Sequence, residues 1–167
     1  MVRLNEVRPG EVAIDLPATY DAGLYFIGRL HTPWARREDC PKNGADSDAV
    51  CTIEVDERYA AGLRDVESVS HLIVLYFMDE APRDVMLQAP RHYRRPHGAF
   101  ALRSPARPNP IACSIVRLVA VAGRRLEVIG LDCRDGTPLI DIKPYFASID
   151  AIPDATVGWH AAEATAR

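Results

Sequence analysis

The sequence has little lysine, no paired-cysteine motif and no long apolar run. Of its 20 basic residues 18 are arginine, and only Lys42 and Lys143 are lysine. A chain with so strong a preference for arginine keeps lysine either by chance at the surface or where a compact ammonium is needed, because the two side chains are not interchangeable. The longest apolar run lies around residues 72–78, far short of a bilayer span, so no transmembrane helix and no membrane partner are expected. The opening MVRLNEVRPGEVAIDL puts acids where a secretory leader needs an apolar stretch, which makes the cytoplasm the expected compartment. The four cysteines, at positions 40, 51, 113 and 133, form no C-x-x-C pair and share no zinc-ligand spacing with histidine. Free thiols and no metal site are therefore expected. Neither a G-x-G-x-x-G opening a helix nor a P-loop is present, which excludes a nucleotide held in the Rossmann manner.

What the chain does contain is a globular composition with an uneven charge. Its 167 residues are 48% hydrophobic and 26% charged, enough for one domain with a single core. Net charge is −3, yet residues 85–126 hold eight arginines and no acid, leaving twelve basic residues against 23 acids elsewhere. Such a separation steers an anionic partner on an otherwise acidic protein, unless acids from elsewhere fold back against the arginines.

Strand signals dominate. Residues 24–30, LYFIGRL, read as a strand that ends in a loop at Pro33. CTIEVDE alternates Cys51, Ile53 and Val55 against polar residues as a half-buried strand, and HLIVLYFM reads as a central one. Tyr59, Leu63 and Val66 have helical spacing, shortened by Gly62. ACSIVRLVAV and RLEVIGLDC form a hairpin about Gly123 and Arg124; Asp135-Gly136 is a tight turn, and LIDIKPY is a last short strand. About six strands with hardly a helix between them predict a mainly β fold: a small antiparallel β-barrel with long loops and one or two short helices. The expected organisation is an N-terminal extension over 1–23, the barrel over 24–146 and a C-terminal tail over 147–167.

Three clusters carry candidate chemistry. RPHGAFALRSPARPNPIACS, residues 95–114, has four prolines and three arginines. Proline fixes φ, so Arg103 and Arg107 are presented at low entropic cost, and Gly98 precedes a short expected strand, AFAL. LDCRDGTPLIDIKPY places a turn at Asp135-Gly136-Thr137-Pro138, then alternates Asp141, Lys143 and Tyr145 onto one strand face. By spacing alone those last residues are an ion pair at a sheet edge. The third cluster, EDCPKNG, is a loop around Lys42.

In chain order HTPW, CPKNG, SHLIVLYF, RPHGAFALRSPARPNPIACS and DGTPLIDIKPY resemble the TsaA-like (TrmO/YaeB) family over roughly residues 24–146. The best-known members are S-adenosylmethionine-dependent methyltransferases acting on threonylcarbamoylated adenosine beside the anticodon of threonine tRNA. The resemblance implies a homodimer of small β-barrels and a cofactor site at Pro41, Lys42, Asn43, Met78, Asp79, Arg103, Cys113, Ser114, Asp135, Gly136, Thr137 and Pro138. Asp141, Lys143 and Tyr145 become the candidate catalytic groups, because a delocalised exocyclic nitrogen is a poor nucleophile and needs a base or charge stabiliser. Arg91, Arg94, Arg95 and Arg107 become candidates for tRNA phosphates. This sequence departs from the family pattern at Leu102, where Thr is frequent, and at Ala112, where Gly is common. Longer members carry a segment after the barrel, whereas this chain ends at Arg167. A methyltransferase for a small molecule and a non-enzymatic S-adenosylmethionine-binding module are the alternatives.

Overall fold

The computed structural model describes residues 7–90 and 93–164, the last three by backbone alone. In chain order the strands are β1 (Val12–Ala13), β2 (Gly28–His31), β3 (Val50–Val55), β4 (His71–Phe77), β5 (Val85–Gln88), β6 (His97–Gly98), β7 (Ile111–Ala122), β8 (Arg125–Ile129) and β9 (Thr137–Pro144). Two short helices follow, α1 (Ala147–Asp150) and α2 (Gly158–Ala164). These elements divide into two units, one of residues 19–80 and 110–145, the other drawn from 7–18, 81–109 and 146–164.

The first unit is a closed barrel in the order β2-β3-β8-β7-β4-β9, every neighbour antiparallel. Closure removes the sheet edges and leaves an inner face for the apolar half of each alternating strand. Cys51, Ile53 and Val55 face inward as their alternation predicts, with Leu72, Val74 and Tyr76 of β4 on the same core, each at most 2% exposed. Full burial of one such side chain contributes about 1.5–3 kcal/mol.

Two bulges correct the simple alternation. Leu139 and Ile142, three apart on β9, both pack on the core because the register slips where Leu75 pairs with Asp141 and Tyr76 with Leu139. Leu118 and Val121 of β7 do the same across a slip between Leu118 and Ala120. The extra residue in each bulge is what lets two odd-spaced positions share a face. Gly28 is obligatory for closure on the other side: a Cβ there would lie 2.0 Å from the Glu54 carbonyl oxygen of β3.

The hairpin and the Asp-Gly turn stand where the sequence puts them, with Gly123 at φ +60 and Gly136 at φ +78. Three expectations are corrected. The strand read over 24–30 begins only at Gly28, since Leu24, Tyr25 and Phe26 lie exposed with no strand to pair. The helix expected from Tyr59, Leu63 and Val66 is two 3-10 stretches, Glu57–Leu63 and Val66–Ser68, separated by Asp65 at φ +67. AFAL is a 3-10 turn over Ala99–Ala101, too short between Gly98 and the following prolines to hold a ladder.

The second unit is a three-stranded sheet in the order β1-β5-β6, to which the proline-rich segment and the C-terminal helices belong. Trp159 of α2 packs on His97 with ring centroids 4.1 Å apart and meets Tyr93 edge-on at 4.9 Å. No helix among the described residues is long and apolar enough to cross a membrane.

Burial also sets the thiols. It pushes Cys133 up to about 12 and Cys51 up to about 11, from an ordinary value of 9.0. With folded values above unfolded ones, the stability contributed by the neutral buried thiols is complete below pH 9 and declines as pH rises from there towards 11–12. At pH 8 a thiol alkylator is expected to label half-buried Cys40, on the 32–49 connection, well before Cys51 and Cys133. Peptide mapping of the alkylated protein checks the order, and equal labelling would contradict the buried placement.

Candidate functional site at one mouth of the barrel

The antiparallel order brings particular loops to one end. β2 ends there at His31 and β3 begins there at Val50; β8 ends at Ile129 and β9 begins at Thr137; β4 ends at Phe77 and β7 begins at Ile111. The connections 32–49 and 130–136, the exit 78–80 and the re-entry at Pro110 therefore share a mouth. Pro41, Lys42 and Asn43, Met78 and Asp79, Ser114, and the turn from Asp135 to Pro138 are thus gathered there by topology.

Hydrogen bonds stitch these loops together. Thr32 donates its N–H to Asp135 Oδ1 at 3.1 Å and its hydroxyl to the Cys133 carbonyl at 2.9 Å. Asp135 and Gly136 return their N–H groups to the carbonyls of Trp34 and Leu30, both at 2.8 Å. Arg134 binds Glu80 at 2.7 Å, tying the end of β4 to the same turn, and Met78 N–H donates to the Pro110 carbonyl at 2.8 Å. Gly44 seats the long loop: a Cβ at this position would stand 1.9 Å from the Gly130 carbonyl oxygen, so only glycine permits the approach. His31 lies between Asp135 at 3.4 Å and Glu54 at 3.6 Å, bracing the turn from outside the barrel.

The sequence-derived residues take different parts. Asn43 serves its own loop, accepting from Ala45 N–H at 2.9 Å and donating to Asp46 at 2.8 Å. Lys42 is exposed and makes no hydrogen bond or ion pair among the described residues. Thr137 and Pro138 are buried, whereas Cys113 points outward opposite Leu75 and only its neighbour Ser114 turns inward.

Sequence reasoning missed the floor of the mouth. Tyr76, 2% exposed, donates its hydroxyl to Asp132 Oδ1 at 2.7 Å and shares a 2.9 Å hydrogen bond with Ser114 Oγ. Burial, and then the charge of Asp132, push the Tyr76 phenol far above its ordinary value, so it stays a hydrogen-bond donor at every physiological pH. Burial and then Asp132 also raise the Cys40 thiol on the facing loop. The available signal was a charged residue between two core positions, Leu131 and Cys133.

Asp141 and Lys143 pair with each other on the outer face of β9, with Tyr145 beyond them. Lys143 lies six residues past Thr137, about 20 Å along the strand, and Tyr145 N–H bonds His71 at the far end of β4. Asp141 stands level with Leu75 but on the outer face, so none of the three faces into the mouth of its own barrel.

In the second unit the proline-rich segment is pinned by side chains. Arg83 Nε donates to the Pro108 carbonyl at 2.6 Å, and Gln88 donates to that of Ala106. Arg107 donates to the carbonyls of Ser104 at 2.8 Å, Ala99 at 3.1 Å and Leu102. Its half-buried guanidinium is thus engaged in shaping the loop; Arg94, Arg95 and Arg103 are exposed at the surface, and Arg91 lies outside the described residues. An Arg107→Lys change removes the planar fork that spans three carbonyls. Amide exchange over residues 99–107 is expected to accelerate about tenfold, the worth of roughly one hydrogen bond. Unchanged exchange by mass spectrometry would contradict the clamp.

A small closed barrel with one polar, loop-built mouth is the class of structure these features define. Residues 29–151 match the tRNA-methyltransferase O N-terminal domain, and the chain belongs to that family. It is 49% identical over 140 residues to the probable S-adenosyl-L-methionine-binding protein VirR of Rhizobium radiobacter, covering 84% of this chain and 80% of that one. An S-adenosyl-L-methionine-binding protein of Archaeoglobus fulgidus is 43% identical over 126 residues, covering 75% and 91%. The crystal structure of TrmO from Pseudomonas aeruginosa superposes with a TM-score of 0.68 at 31% identity. That match covers 83% of this chain but only 62% of the TrmO chain.

Proposed function

We propose that the protein is an S-adenosyl-L-methionine-dependent methyltransferase whose acceptor is tRNA, in the finer form the exocyclic nitrogen of threonylcarbamoylated adenosine beside the anticodon of threonine tRNA. Family membership supports the class. The observation that carries the cofactor assignment is the gathering of residues 41–43, 78–79, 114 and 135–138 around one mouth. The donor set fits the ligand: carboxylates for its two cationic groups, the unpaired ammonium of Lys42 for its carboxylate, and turn backbone for its adenosine.

S-adenosyl-L-methionine, when bound, supplies an electrophilic methyl group. The chain's own residues hold it, and positioning provides most of the acceleration in such a transfer. The Gly44–Gly130 contact and the Thr32–Asp135 bonds form the loops in advance, so little ordering is left to oppose binding. Asp141, with Lys143 beside it, takes the proton lost by the acceptor nitrogen. Because this pair lies on the outer face of β9, turned away from its own mouth, the reading includes a second copy of the chain, whose mouth the pair serves. The outer face of β7 supports such pairing, since Ile111, Ile115 and Val119 are 39–55% exposed. A tRNA acceptor makes the cytoplasm the working compartment.

The test is transfer of labelled methyl groups to threonine tRNA with and without threonylcarbamoylation. Multiple turnover only on the modified tRNA is expected. Turnover confined to small metabolites, with salt-insensitive binding and no affinity for RNA, would replace tRNA by a small acceptor, a reading that engaged Arg107 and the net charge of −3 favour. No turnover on any acceptor would leave a binding module.

A further inference from the structure

Among the carboxylates at the mouth, Asp132 is set apart by its surroundings. Asp135 is held by Thr32 N–H and His31, Glu80 by Arg134, and Asp46 by Asn43, while Asp79 is exposed to water. Asp132 is half-buried, and among the described residues no cation pairs with it; its side-chain partner is the neutral phenol of Tyr76. Its position is rigid, because Leu131 and Cys133 on either side are 1% and 0% exposed. Tyr76, itself braced by Ser114, fixes one carboxylate oxygen.

A carboxylate partly withdrawn from water with no counter-cation is costly to keep, and a ligand cation arriving beside it recovers that cost. Partial burial also strengthens its field on neighbouring charges compared with a surface acid. The field is felt on both walls of the mouth, since it raises Cys40 on one loop and Tyr76 on β4.

Resting on the cofactor reading above, we propose that Asp132 is the charge-discriminating residue of the mouth, pairing with the sulfonium of S-adenosyl-L-methionine and thereby setting its preference over the neutral thioether S-adenosyl-L-homocysteine. The ligands differ by one methyl group and one positive charge, and the ammonium is common to both. Loss of the sulfonium charge on methyl transfer removes the attraction to Asp132, so the same residue that favours cofactor binding favours product release.

The experiment is calorimetric titration of both ligands into wild type, Asp132→Asn and Tyr76→Phe proteins. The amide is isosteric and still accepts from the Tyr76 hydroxyl, so the floor is kept while the charge is removed. Wild type is expected to prefer S-adenosyl-L-methionine. Asp132→Asn is expected to weaken that ligand at least tenfold while changing S-adenosyl-L-homocysteine less than threefold. Tyr76→Phe frees the carboxylate without removing it and is expected to lower the affinity ratio three- to tenfold, which keeps the test available should Asp132→Asn fail to fold. Equal weakening of both ligands, or an unchanged ratio in both variants, would overturn the pairing while leaving the cofactor site standing. Wild type that binds neither ligand would overturn the cofactor reading itself, and the pairing with it.

Discussion

The Gly44→Ala protein is expected to keep its barrel and lose at least tenfold in affinity for S-adenosyl-L-methionine. The added methyl would meet backbone, with the Gly130 carbonyl oxygen at 1.9 Å, its carbonyl carbon at 2.5 Å and its Cα at 3.1 Å. No flexible side chain lies in the way to yield. Gly130 itself cannot move freely, because it sits at φ +116, where L side chains are rarely found, and precedes the buried Leu131. The loop carrying Pro41, Lys42 and Asn43 must therefore lift away from the 130–136 turn. Overpacking of this kind costs about 1–3 kcal/mol. Because the contact joins two loops and no strand, the cost falls on the preformed mouth, and about 1.4 kcal/mol is tenfold in affinity. Calorimetry gives the affinity, and a thermal melt separates it from global unfolding. Wild-type affinity would show that the loop is not part of the site.

Arg103→Ala is expected to weaken the same ligand by well over a factor of ten. The proline-rich segment is held at Pro108 by Arg83, at Ala106 by Gln88 and at Ala99, Leu102 and Ser104 by Arg107. Arg103 is an exposed cation on a stretch whose backbone is already ordered, and under the proposed function the family resemblance gives it the ligand's carboxylate. A hydrogen bond to a charged group contributes about 1.5–3 kcal/mol, between tenfold and more than a hundredfold in affinity. Arg103→Lys retains the charge without the bidentate fork and is expected to fall between the two. An unchanged isotherm for Arg103→Ala would remove this residue from the site.

What was legible in the sequence was local chemistry. Gly123-Arg124 and Asp135-Gly136 are turns because their glycines take positive φ within two residues, and β3 and β4 follow from alternation and β-branching. The Asp141–Lys143 pair also follows from a two-residue spacing, although β9 is an interior member of a closed sheet and not an edge. Features set by distant partners were not legible. LYFI has strand composition, but Leu24, Tyr25 and Phe26 lie exposed outside the sheet and only Ile27 reaches it, through Leu139 and Asp56, so composition alone began the element four residues early. The bulges at β7 and β9 answer to the curvature of the closed sheet. The Tyr76–Asp132 bond joins positions 56 apart, and Gly44 meets Gly130 across a longer separation still. Pro41, Lys42, Asn43, Met78, Asp79, Ser114 and the turn from Asp135 to Pro138 were found by resemblance, but their meeting at one mouth depends on strand order, which no local pattern carries.

The most direct measurement of the central claim is amide exchange on the wild-type protein with and without S-adenosyl-L-methionine. Protection is expected over residues 40–46, 78–80, 112–114 and 130–138, with residues 141–145 unchanged by the cofactor alone. Protection absent from the mouth, or centred on the far half of β9, would contradict the claim that these loops form one cofactor site.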